Sequence, residues 1–212
     1  MAYPILIAYH FDMAPKYPLY VQAATRLKKR CNELNIPCDI CSEDLWKYRE
    51  DFKKRIPRIA SDRRLLCRYI PIFIEKKLRQ HKQPVLYVHV DSVIVRKPKE
   101  ELFEPDMSIG YCTHPFRDCI TQILNPTKMA IEAAPLFFRP DNISYTFLGH
   151  WNYMCQNFNT DESEHTFLGK TINNFSMYPE MKPFKRPISN QCKIDDPDIL
   201  HGQALNRAGE VV

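Results

Sequence analysis

Glycine is scarce in this chain, with 5 residues in 212. They are scattered at 110, 149, 169, 202 and 209. No G-x-G-x-x-G and no Walker loop can be drawn, which excludes a glycine-cradled dinucleotide or a P-loop nucleotide. A bound phosphate would instead need a metal, basic side chains or helix N-termini. Long apolar runs are also missing. The opening Ile5-Leu6-Ile7-Ala8 is far too short for a signal segment or a membrane span. The 8 cysteines yield a single C-x-x-C, Cys38 and Cys41, with no second pair at zinc spacing. Buried free thiols in a reducing, cytoplasmic setting fit this usage. Lys and Arg number 30 against 25 Asp and Glu, a net charge of +5. That balance favours anionic ligands weakly, and no dense basic stripe with interleaved aromatics points to nucleic acid. Asn142-Ile143-Ser144 is a formal glycosylation sequon, but nothing else suggests secretion.

What the chain has is an alternation of strand-like and helix-like segments. Residues 4–9 read as a buried strand ending at Tyr9-His10-Phe11-Asp12. A helix follows over about 18–34, with Leu19, Ala23, Leu27, Cys31 and Leu34 on one face. A second strand covers 36–41 and a basic helix 43–55. A longer helix runs from Ser61-Asp62 to about Gln80, with a kink expected at Pro71. Residues 84–95 read as a strand, buried over Val85–Val88, that breaks at His89-Val90-Asp91 and resumes at Val93-Ile94-Val95; 107–112 and 135–139 read as two more strands, and 142–158 and 161–174 as helices. The proline-rich last fifth reads as loop, with a short apolar run at 199–201. The pattern predicts one α/β domain over 1–212, a mainly parallel sheet flanked by helices. The C-terminus has no closing element, so the chain also fits the N-terminal part of a longer protein.

Residues 84–95 carry the chemistry. On a strand, residues two apart share a side, so His89 and Asp91 are expected to project together at a buried strand's end. Open α/β sheets bind ligands at that edge. A carboxylate there suits a hard divalent cation that also carries a diphosphate. The plain alternative is an Asp that starts a turn before Ser92. Tyr9, ending the first strand, could stack on a base.

Leu86-Tyr87-Val88-His89-Val90-Asp91-Ser92-Val93 resembles the L-Y-L-D-A-D-V strand of the GT-A glycosyltransferases, with His89 in place of the first Asp. The resemblance implies a single-domain GT-A fold and a nucleotide-sugar donor. It implies Asp91 as a metal ligand, normally for Mn²⁺ with Mg²⁺ as the other candidate. The role of His89 stays open between ribose and metal. Ala8, Tyr9 and His10 would line the base pocket. Asp62, Arg63 and Arg68 match the helix that contacts donor sugar and phosphate. His201-Gly202 is similar to the element whose His completes the metal shell. Thr160-Asp161-Glu162-Ser163-Glu164-His165 resembles the D-E-S-H segment of retaining members, implying Asp161 at the donor sugar and Glu162 at the anomeric carbon. One residue is inserted before His165, so Glu164 competes with Glu162. Capping of a helix's first turn explains the same carboxylates without catalysis.

The size and the degenerate H-x-D resemble glycosyltransferase domains encoded by large algal (chlorella) viruses, which would place the protein in a host cytoplasm. The reading is a Mn²⁺-dependent transferase that moves a sugar from a UDP-sugar, by default UDP-glucose, to a hydroxyl of a glycan or glycoprotein acceptor. Retention and inversion are both open. The rivals are a sugar-nucleotide nucleotidyltransferase and a non-enzymatic module that binds acidic partners.

Overall fold

A computed structural model describes residues 2–11, 18–56, 67–115, 129–158, 162, 164–185 and 198–200. The elements are β1 (Ile5–Phe11), α1 (Pro18–Glu33), β2 (Cys38–Glu43), α2 (Trp46–Arg55), α3 (Ile70–His81), β3 (Val85–Tyr87), β4 (Val93–Ile94), a 3₁₀ turn (Glu100–Leu102), β5 (Ile109–Pro115), β6 (Met129–Phe138), α4 (Asn142–Asn157), α5 (Glu164–Asn174), β7 (Met181–Pro183) and β8 (Ile199–Leu200). The main sheet has six strands in the order β2-β1-β3-β6-β5-β7, and β4 pairs with β8 apart from it. The pairs β1–β2, β1–β3 and β5–β7 are parallel, while β3–β6 and β5–β6 are antiparallel. This is the expected mixed, mainly parallel α/β plan.

Strand alternation sorts the core onto two faces. Ile7, Tyr9, Val85, Tyr87 and Phe138 pack with α2, α3, α4 and α5. Leu6, Ala8, Leu86, Val88 and Phe137 pack with α1 and β4. α1 buries Ala23, Ala24, Leu27 and Cys31, close to the predicted face, although Leu19 is exposed. Pro71 lies in the first turn of α3, where its missing N–H costs no helical bond; residues 57–66, which include the expected start of the longer helix, lie outside the described residues. In the glycosylation-like tripeptide, Ser144 N–H donates to the Asp141 carboxylate and the buried Ser144 hydroxyl donates to the Ser108 carbonyl. That tripeptide has a structural explanation as the capped start of α4.

The cysteines at 31, 38, 41, 67, 112 and 155 are free thiols, and Cys38 and Cys41 are half-buried, not fully buried as expected. Gly110 is required by packing: a Cβ there would lie 2.7 Å from Met107 Sδ and 2.7 Å from a Phe184 ring carbon.

Edge strand β2 is fastened to α3 by ion pairs. The Lys77 ammonium lies 2.7 Å and His81 Nε2 2.8 Å from one Asp39 oxygen. Lys76 donates to both oxygens of Glu43 at 2.8 and 2.9 Å, and the Tyr69 hydroxyl donates to the second. Burial alone would raise the Asp39 carboxyl, but the hydrogen bonds and charges of Lys77 and His81 outweigh it and hold it below its ordinary value. A lowered folded-state pKa means stability that is present above the unfolded value, about 3.9, and lost as pH falls through the folded value. Asp39→Asn is expected to lose roughly 1–2 kcal/mol at neutral pH, discounted because the carboxylate is partly exposed. Denaturant titrations of both proteins from pH 7 to pH 3 should converge at the acid end. A gap that persists at pH 3 would assign the loss to packing.

Candidate functional site

The sheet order creates a crevice. β1 leads through α1 to β2 on one side, and the chain then crosses to β3 on the other side. Connections from the two flanking strands thus diverge at the β1/β3 boundary, the switch point where open α/β sheets bind ligands. β1 pairs with β2 as far as Phe11, but with β3 only as far as Ile7, with one further bond from Val88 N–H to the Ile7 carbonyl. The carboxyl end of β1, carrying Tyr9, His10 and Phe11, therefore projects past β3. β3 gives way there to residues 88–92.

Those residues form a turn at the break expected over 89–91, so the 84–95 strand is split in two. β3 ends at Tyr87, and Ser92 N–H donates to the His89 carbonyl at 3.0 Å. The strand alternation argued for His89 and Asp91 does not apply within a turn. Both lie just past the carboxyl end of β3, half-buried. The His89 ring meets the edge of Tyr87 at 5.7 Å.

Tyr9 is 7% exposed, within rings of Phe11, Tyr69, Phe73 and Tyr87. It forms the aromatic floor of the crevice, not an open platform for a base. Burial, then the nearby Tyr87, Cys67 and Glu164, push its phenol far above its ordinary value. Ala8 is fully buried beneath α1. His10 is half-buried at the crevice, and its Nδ1 is buried with no hydrogen-bond partner among the described residues.

Arg68 does not face a diphosphate. It is fully buried. Its Nη1 donates to the carbonyls of Cys155 and Phe158 at 3.0 Å each, and its Nη2 to the Glu162 carbonyl at 2.9 Å. The guanidinium lies 4.7 Å from the Phe167 ring centre. Burial lowers its pKa, against the charges of nearby Cys155, Tyr48, Glu164 and Glu162. It therefore ties the end of α4 to the approach to α5.

The two candidate carboxylates separate cleanly. α5 begins at Glu164, three residues later than the expected 161. Glu162 precedes it and pairs with Lys170 at 2.8 Å, with a side chain 35% exposed. Glu164 is 6% exposed, and the Trp151 indole N–H donates to its carbonyl at 3.2 Å. Its Oε1 lies 3.4 Å from His165 Nε2. Burial first, then the charges of Cys67, Glu164 and Asp91, drive the Tyr87 phenol far above its ordinary value. The charges of Glu164 and Asp91 thus both act on the Tyr87 phenol. The inserted residue had signalled Glu164 as the competitor. Asp62, Arg63, Asp161 and His201 lie outside the described residues.

No protein-family model and no curated protein matches the sequence. The fold matches solved glycosyltransferase structures. One, a glycosyltransferase involved in glycosylation of the major capsid of PBCV-1, aligns at TM-score 0.58 and 10% identity over 97% of this chain and 96% of that one. Another is GlyE of Streptococcus pneumoniae TIGR4, at TM-score 0.53 and 14% identity over 95% of this chain. A third is the bifunctional glycosyltransferase WbbM, at TM-score 0.56 and 11% identity over 99% of this chain. This chain spans 54% of GlyE and 46% of WbbM. At such identities the likeness establishes the shared α/β architecture.

Proposed function

We propose that this chain is a metal-dependent glycosyltransferase that moves a sugar from a UDP-sugar to a hydroxyl of a glycan or glycoprotein acceptor. The observation that carries the reading is the β1/β3 switch-point crevice with the Asp91 turn at its rim. The shared fold and the buried Glu164 carboxylate, whose charge reaches the Tyr9 and Tyr87 phenols, support it. UDP-glucose is the first donor to try.

Among the described residues, no three His, Cys, Asp or Glu side chains gather into a metal cage. A cation that carries a diphosphate does not require one, because phosphate oxygens and water fill most of its shell. Asp91 on a half-exposed turn fits that need, and a neighbouring imidazole makes a mixed donor set that suits Mn²⁺ better than Ca²⁺. Asp91 would hold Mn²⁺ or Mg²⁺, with His201 joining it by the family resemblance. When bound, the ion would offset charge on the departing UDP. His10 and the β1 end would contact the nucleoside, and His89 the ribose or the cation. Glu164 would act on the sugar side, as general base for an inverting attack or as the anion opposite a cationic centre in a retaining one.

Calorimetric titration with UDP tests this reading. Binding is expected with Mn²⁺, weaker with Ca²⁺, and lost in EDTA. Asp91→Ala should abolish the metal-dependent part with little change in stability, because the residue lies on a turn outside the core. Equal UDP binding in EDTA would remove the metal from the proposal.

A further inference from the structure

β4 leaves the Asp91 turn directly, and a strand of two residues is too short to hold its own place. It is gripped from two sides. From α1, Arg30 donates through Nε to the Ile94 carbonyl at 2.8 Å and through Nη2 to the Val95 carbonyl at 2.6 Å. From β8, Leu200 and Ile199 pair antiparallel with Val93 and Ile94, and the Asp198 carbonyl accepts from Val95 N–H at 2.8 Å. Ile94 and Ile199, opposite each other across the two strands, are both buried in the core face that packs with α1. Asp198 is fully buried, and its carboxylate accepts from Arg96 Nε.

Such a pair is a poor source of stability, because desolvation of a buried carboxylate offsets much of what the ion pair returns. Its effect is on register. Two ladder residues fix an alignment weakly, and a slip of one residue would turn Ile199 out of the core and part Asp198 from Arg96. The same alignment governs the end of β8. Leu200 stands opposite Val93, which is two residues after Asp91. His201, the second ligand proposed for the ion, is the next residue in sequence. We propose that Arg96 and Asp198 are positioning residues for the metal site: their ion pair sets the register of β8 on β4, and with it the approach of His201 to the cation at Asp91. Both act through the strand that precedes His201, not by contact with the ion. The inference rests on the proposed transferase function.

The test is a titration with Mn²⁺ in the presence of UDP, with free Mn²⁺ read from its electron paramagnetic resonance signal. Asp198→Asn keeps the buried volume and removes the charge. It is expected to weaken Mn²⁺ binding about tenfold or more, the scale set by groups that orient metal ligands from outside the coordination shell. Arg96→Gln should do the same, and Arg96→Lys should recover part of the affinity because it keeps the charge. Asp39→Asn, which removes an ion pair at edge strand β2, is the control for general destabilisation and should bind Mn²⁺ as the parent does. Parental Mn²⁺ affinity in Asp198→Asn, or equal weakening in Asp39→Asn, overturns the positioning role. In both of those outcomes the parent still binds Mn²⁺ with UDP, so the transferase reading stands. A parent that binds no Mn²⁺ with UDP removes that reading and the positioning role with it.

Discussion

Replacing Arg68 with methionine is expected to destabilise the protein by about 3–5 kcal/mol, the range seen when one partner of a buried charged network is removed. Methionine fills similar space but leaves the carbonyls of Cys155, Phe158 and Glu162 without their shared donor. It also removes the stacked cation above Phe167. For a chain of this length the loss corresponds to a fall in Tm of roughly 10 °C. Arg68→Lys should recover only part of it. A lysine keeps the charge but is a compact point donor on a flexible stem, and cannot hold three carbonyls with a planar fork. Thermal and urea unfolding of both variants reads this directly. If Arg68 instead bound donor phosphate, Arg68→Lys would unfold like the parent protein and lose UDP affinity.

That residue also shows where sequence reasoning stops. Periodicity exposes which face of α1 is apolar, and runs of Val, Ile and Leu expose β1 and β3, because burial of a face imposes a pattern on neighbouring residues. An arginine beside a tyrosine carries no such imprint. Whether Arg68 points at a ligand or into the core is decided by α4 and α5, far along the chain. β7 escaped for a related reason. Met181, Lys182 and Pro183 are too few to alternate visibly, and Pro183 reads as loop. Only parallel pairing with Ile109, Gly110 and Tyr111 makes them an edge strand. In the 84–95 run the break at His89-Val90-Asp91 is legible, but not its form: His89 to Ser92 close a turn between β3 and β4, so strand alternation does not relate His89 to Asp91. The functional edge was still legible, because a polar interruption in an apolar run marks the place where the chain leaves the core.

The carboxylate register depends on where α5 begins, and there the expected effect on turnover is largest. Glu162 lies before the helix, whereas Glu164 stands at helical spacing from the buried Phe167, Leu168 and Thr171 and so faces inward with them. Glu162, held by Lys170 outside the helix, is expected to matter little: Glu162→Gln should cost no more than about 1 kcal/mol of stability and leave turnover near that of the parent. Glu164→Gln is expected to keep UDP and Mn²⁺ affinity within about twofold while lowering kcat and kcat/KM together by about 100-fold or more, the scale of a lost general base or transition-state charge. Glutamine retains the buried volume and the backbone carbonyl that accepts from Trp151, so the fold should survive and the loss should fall on chemistry. Slow hydrolysis of the UDP-sugar gives the readout before any acceptor is identified. The outcome that would reverse the assignment is parental turnover in Glu164→Gln alongside a collapse in Glu162→Gln. That pair of results would mean that the Lys170 bridge opens when donor binds and that Glu162 swings to the anomeric carbon.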